Sequence, residues 1–242
     1  MDIGVLSAKY EASGNPGTIS DGAGDLGGAS YGAFQFNSAD DIVTAFLDWV
    51  IDNEEEPLRN YAVVLKDLGV YTASFDAKWR ELASVDPEGF FKLQSDYAAQ
   101  MYFVPAAEAL MEEYGLVATE RSKTLQAVIL SRAIHYGAGW VPELFYRGFL
   151  YAKEINDPAI MESIETVEQM PDYYLIGGIY DYLYNDASQA YQLASGRWHS
   201  PDDWANGSRD VIGGLKNRFA SEKLDAYALL EEEYAASAKS EE

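Results

Sequence analysis

The sequence predicts a mainly α-helical chain with one small β-hairpin near its N-terminus. Two observations lead there: apolar residues recur at three- and four-residue steps through most of the chain after residue 42, and a glycine-rich stretch punctuates the segment before it. Ile3, Leu6 and Tyr10 have helical spacing, and Ser13-Gly14-Asn15-Pro16 ends any helix, so Glu11 falls in a last turn. The run Ser20-Asp21-Gly22-Ala23-Gly24-Asp25-Leu26-Gly27-Gly28 then permits the tight turns of a hairpin.

Start and stop signals divide the remainder of the chain. Ser38-Ala39-Asp40-Asp41 has the form of a capping box before Ile42, Val43, Phe46, Leu47 and Val50, and Asp86-Pro87-Glu88 puts an N-cap before a first-turn proline. Phe90, Leu93, Tyr97, Met101 and Val104 continue at helical steps to a kink at Pro105 and a stop at Gly115. Further helices are expected over residues 120–136, 141–153, 158–170, 173–184, 187–194 and 211–236, with residues 237–242 fraying. Leu125, Val128, Ile129 and Ala133 form a core stripe.

Composition sets the outer limits. A length of 242 residues allows one large domain or two lobes about a cleft, and 48% hydrophobic residues exclude a disordered chain. The formal net charge of -23 argues against nucleic acid and anionic membrane as partners, because phosphate binding needs a basic footprint. The same charge suits a cationic polymer, although the acidic runs at 52–56 and 231–233 also read as solvated helix faces. Without cysteine there is neither a disulfide framework nor a thiol nucleophile. The start Met1-Asp2-Ile3-Gly4 has neither the basic region nor the apolar stretch of a signal peptide. Excision from a longer chain would fit such a start.

Glu11, in Tyr10-Glu11-Ala12-Ser13-Gly14-Asn15-Pro16, is followed about twenty residues later by Ser30-Tyr31-Gly32-Ala33-Phe34-Gln35. This pairing resembles the lysozyme-like superfamily, and most closely its phage and prophage cell-wall lysins, relatives that include goose-type lysozymes, lytic transglycosylases and chitosanases. The resemblance covers residues 9–36. It implies a two-lobed, α+β lysozyme-like fold with the hairpin lining a cleft, in one catalytic domain over residues 1–236 (helix and hairpin 1–37, helical region 38–236). Breaking a glycosidic bond needs a carboxylic acid still protonated near neutral pH and usually a second carboxylate. The carboxylate-disfavouring end of a helix dipole and partial burial beside Tyr10 suit Glu11 to the first role, with a raised pKa. Asp25 matches the G-D-x-G-G of the lysin pattern and is the expected partner, with Asp21 as second choice. By the same resemblance Tyr31 and Gln35 line the cleft, a buried hairpin with a satisfied amide being the other reading of them; Ser30 is a candidate to position water, with a structural strand hydroxyl as the alternative.

A second run, Ser131-Arg132-Ala133-Ile134-His135-Tyr136-Gly137-Ala138-Gly139, resembles a cleft-floor segment of the same lysins, which makes His135 and Tyr136 candidates for substrate contact. A core histidine at a helix terminus is the alternative. Arg197-Trp198-His199 beside Trp204 reads as a packed turn or a sugar platform. In Gly213-Gly214-Leu215-Lys216-Asn217-Arg218-Phe219, the resemblance gives Arg218 the role of tying the last helix to the cleft. With two histidines and no H-E-x-x-H, no metal is expected, and no nucleotide-binding or serine-hydrolase motif occurs, so no cofactor is expected either. The expected partner is peptidoglycan or a related aminosugar polymer. Three functions stay open: a peptidoglycan hydrolase or lytic transglycosylase, a chitosanase, and a non-catalytic structural or glycan-binding module.

Overall fold

The computed structural model describes residues 1–21 and 28–240. The chain forms two compact units, Met1–Tyr102 and Phe103–Glu242. Among the described residues each is mostly helical with one small antiparallel sheet, which is the mainly-α class with minor β expected from the sequence.

In the first unit, α1 (Val5–Ala12) stops where Ser13 turns left-handed at φ 52° and Gly14 follows at 73°. Three two-residue strands come next, β1 (Ile19–Ser20), β2 (Ser30–Tyr31) and β3 (Phe36–Asn37), in that spatial order, with Tyr31 opposite both Ile19 and Phe36. Helices α2 (Ile42–Asn53), α3 (Leu58–Asp67), α4 (Ala73–Val85) and α5 (Pro87–Ala98) complete the unit. α5 starts as its sequence dictates: Pro87 occupies the first turn and Asp86 accepts the Gly89 N–H at 2.9 Å. α2 starts at the expected residue but without the capping box. Asp41 is left-handed, at φ 59°, and its carboxylate accepts from Thr44 Oγ1 at 2.7 Å in place of a backbone N–H. The core is a chain of aromatic contacts, among them Trp79 to Phe90 at 4.8 Å and Phe36 to Tyr97 at 5.4 Å, both edge-to-face. Such pairs contribute about 0.5–1.5 kcal/mol each beyond their burial.

The helical pattern expected to run through Pro105 is interrupted by a π-helical turn, Ala99–Phe103, after which α6 (Val104–Tyr114) runs to left-handed Gly115. Pro105 has no N–H to give to the carbonyl four residues back, so the regular ladder fails there. In the second unit, α7 (Lys123–Tyr136) is capped by Ser122, which accepts the Leu125 N–H at 3.0 Å. Glu233, more than a hundred residues away, accepts the N–H groups of Lys123 and Thr124 at 2.7 and 3.1 Å. α8 (Val141–Ile155), α9 (Pro158–Met161) and α10 (Asp172–Ser188) follow. Next come β4 (Tyr191–Gln192), β5 (Trp198–His199) and β6 (Asn206–Gly207), and then α11 (Arg209–Ser240). α10 packs against both α8 and α11, and the expected stripe Leu125, Val128, Ile129 and Ala133 is fully buried.

Three expectations change here. The helix expected over 158–170 ends at Met161, because side chains bind the backbone locally: Gln169 Oε1 accepts the Glu165 N–H at 2.8 Å and Thr166 Oγ1 that of Gln169. The pieces at 173–184 and 187–194 are one helix ending at Ser188, and Tyr191–Gln192 is a strand of a second sheet that the sequence did not announce. α11 continues to Ser240 instead of fraying from residue 237.

Candidate active site

Glu11 is partly buried in the final turn of α1, where the sequence put it. The motif residues after it are fastened to the hairpin. Asn15 Oδ1 accepts the Gly17 N–H at 2.8 Å, closing the turn around Pro16. The Pro16 carbonyl then receives Trp79 Nε1 at 2.8 Å and Gln94 Nε2 at 3.0 Å. The other end of the same amide, Gln94 Oε1, accepts the Ala33 N–H at 2.8 Å. One fully buried glutamine on α5 thus joins the Asn15-Pro16 turn that follows Glu11 to the turn between β2 and β3. The sequence reading missed Gln94 and Trp79, which sit in ordinary-looking helical periodicity, and only their polar atoms in an apolar run hinted at a partner.

Gly32 shows why this turn needs glycine. Its φ is 78°, and a Cβ there would lie 2.3 Å from Gln94 Oε1. Gly32→Ala is expected to lower the stability of the first unit by more than about 1 kcal/mol, from the left-handed backbone alone. Thermal unfolding followed by circular dichroism checks this, and an unchanged midpoint would refute the clamp.

The other candidates of this unit lie nearby in sequence but play different parts. Tyr31 is only 2% exposed, and its hydroxyl donates to Asp76 Oδ1 at 2.9 Å. Burial, then Asp76, holds its phenol well above the ordinary pKa. Its ring lies among Tyr71, Phe75 and Trp79. Gln35 is half-buried at φ 53°, and its amide donates back to the Gly32 carbonyl at 2.9 Å, shaping the turn. Ser30 is a β2 residue paired with Ser20 and Asn37, and Asp21 is exposed just past β1. Asp25 lies outside the described residues.

His135 and Tyr136 belong to the second unit, at the end of α7. The electrostatic centre there is a buried ion pair. Arg132 on α7 meets Glu222 on α11 at 2.7 Å, neither side chain having any exposure. Ser131 Oγ also donates to Glu222. Burial favours the neutral acid, but Arg132, Arg218 and Ser131 together outweigh it and keep the Glu222 pKa below its usual value. Glu222 joins the two helices: Arg218 bonds it along α11 at 3.2 Å, and it reaches across to Arg132 on α7.

Burial, followed by Arg132 and Arg218, pushes the His135 pKa down to about 2. The folded protein thus keeps His135 neutral while the unfolded chain, near 6.5, takes up a proton. Stability from this group is complete above pH 6.5 and is lost as the pH falls from there towards 2. His135→Gln is expected to flatten the acid side of a stability-against-pH curve measured by urea unfolding, and an unchanged slope would contradict this.

Tyr136 donates to the Trp204 carbonyl at 3.1 Å, and its ring meets the Trp204 indole edge-on at 5.0 Å. Together with Trp140, Asp202 and Asp203 these residues line a pocket of about 240 Å³. Among the described residues no group of three His, Asp or Glu side chains is placed to hold a metal ion, and no helix is long and apolar enough to cross a membrane.

Residues 3–223 match the family described as type VI secretion system spike protein VgrG3-like, C-terminal. The chain belongs to that family. This VgrG3-like domain is 26% identical over 230 residues to the type VI secretion system spike protein VgrG3 of Vibrio cholerae serotype O1. The alignment covers 95% of this chain and 18% of that protein, so the chain spans under a fifth of its curated relative. Among solved structures it is similar to native chitosanase from Bacillus subtilis MY002 (TM-score 0.48, 17% identity, 94% of this chain and 89% of that one). It is also similar to a chitosanase complex (TM-score 0.43, 16% identity, 74% and 75%). The phage or prophage context implied by the motifs gives way to a secretion-spike family.

Proposed function

We propose that this VgrG3-like domain is a glycoside hydrolase or lytic transglycosylase that cuts β-1,4 bonds of peptidoglycan, carried as the C-terminal part of a type VI secretion spike. The observation that supports it most is the Gln94 clamp, because it holds the turn after Glu11 and the Gly32-to-Gln35 turn in one fixed relation. Fixing an acid and a substrate-facing turn on rigid elements is what general acid catalysis demands of a scaffold. Glu11 is the general acid in this reading. Asp25 is the base or the electrostatic partner, with Asp21 as the alternative.

One observation favours a second substrate. A charge of -23 attracts a polycation, which makes chitosan the competing polymer. Digestion of purified peptidoglycan and of chitosan, with soluble products weighed by mass spectrometry, separates the readings. Glu11-dependent muropeptides support the proposal, a reducing end marking hydrolysis and a 1,6-anhydro end marking transglycosylation. Glucosamine oligomers would replace it with a chitosanase. No products from either polymer would leave a non-catalytic glycan-binding or structural module.

A further inference from the structure

The pocket at the end of α7 has features that packing alone does not explain. Trp140 leaves 62% of its surface exposed. Tryptophan is enriched among the residues that carry binding energy at interaction surfaces. Its ring stands at 87° to Trp204, 6.2 Å between centres, so the two indoles form the floor and wall of a corner. Gly137, at φ 88°, ends α7 directly after the pocket residue Tyr136.

The corner is also fixed before any ligand arrives. Trp204 Nε1 donates to Tyr182 Oη at 2.9 Å, and that hydroxyl donates to Asp202 Oδ2 at 2.8 Å. The Asp202 N–H is held by the buried Asp186 carboxylate at 2.9 Å, and Ser200 and Ala205 close the loop, Ala205 N–H to Ser200 Oγ at 2.9 Å. Asp203 is left-handed and uses Oδ1 for His199 and Asn206. Oδ1 of Asp202 and Oδ2 of Asp203 remain open acceptors among the described residues. Such pre-organisation removes ordering cost from binding.

We infer that this pocket is a sugar subsite that takes one ring of a β-1,4-linked aminosugar strand. The apolar face of the ring lies on Trp140, and the N–H at its second carbon donates to Asp202 or Asp203. At about 240 Å³ the pocket is below the 300–1,000 Å³ typical of drug-sized ligands, which suits a single ring. The two carboxylates favour a glucosamine unit, whose ammonium complements their charge, over a neutral sugar bearing a hydroxyl there. The inference rests on the proposed action on an aminosugar polymer and assigns it a contact in the second unit.

The test uses the whole 242-residue chain with Glu11→Gln to suppress turnover, labelled with 15N, and hexamers of glucosamine, N-acetylglucosamine and glucose. Five tryptophans give five indole N–H signals, and Trp140→Phe assigns one of them. The Trp140 signal is expected to shift with one or both aminosugars and not with the glucose hexamer. Trp140→Ala should raise Kd about tenfold, about 1.4 kcal/mol, and Trp140→Tyr should recover most of it. A silent Trp140 signal, or an unchanged Kd in Trp140→Ala, overturns the subsite; an equal shift with the glucose hexamer overturns the role of the carboxylates. Polymer cleavage by the wild type is scored separately. Cleavage with a silent Trp140 refutes the subsite alone, and a shifted Trp140 without cleavage refutes the hydrolase alone.

Discussion

Glu11→Gln is expected to lower the rate of peptidoglycan cleavage by about 10²–10⁴-fold, the usual contribution of a positioned general acid. The substitution keeps the size and a hydrogen-bonding head but has no proton of the right acidity to give the leaving oxygen. Glu11 lies at the partly buried end of α1, and the fold beyond it is anchored through Pro16 and Gln94, so the variant should stay folded at the assay temperature. Release of soluble product measured beside a melting curve separates chemistry from folding. Full activity in the variant would remove Glu11 from the mechanism. Asp25→Asn, assayed in parallel, distinguishes one-acid from two-carboxylate chemistry: near-complete retention points to a transglycosylase-like route, a comparable loss to hydrolysis with a second carboxylate.

The largest effect on stability should come from Glu222→Leu. Arg132 would keep its charge at zero exposure among Tyr136, Tyr180 and Phe219 with its carboxylate gone. Leaving one half of a buried pair typically costs about 3–5 kcal/mol. In a protein of this size that lowers the melting temperature by on the order of 10 °C. Adding Arg132→Met should recover much of the loss, because the uncompensated charge, not the missing contact, carries the penalty. Thermal unfolding of the single and double variants checks both statements, and a double variant no better than the single one would contradict the second. The pair also sets an acid limit. With the Glu222 pKa held below the ordinary glutamate value of 4.5, its stabilising contribution is complete above that pH and is lost as the pH falls through the folded value.

What the sequence determined by itself is local. Helix ends at Ser13-Gly14 and Gly115, the start at Asp86-Pro87 and the core stripe from Leu125 to Ala133 were legible because backbone conformation and burial period are set by a few adjacent residues. The position of Glu11 in a final turn followed from the same signals. Tertiary structure decided the rest. The Tyr31 hydroxyl bonds Asp76, 45 residues away, and Glu222 on α11 pairs with Arg132 on α7, 90 residues before it. Gln94 could not be singled out because its two partners, Pro16 and Ala33, lie 78 and 61 residues from it. The short strands at Tyr191–Gln192 and Trp198–His199 were equally silent, since two-residue strands carry no period and exist only through their pairing. Periodicity reports which residues share a face, whereas a buried polar group takes its meaning from the partner that satisfies it, and that partner is chosen by the fold.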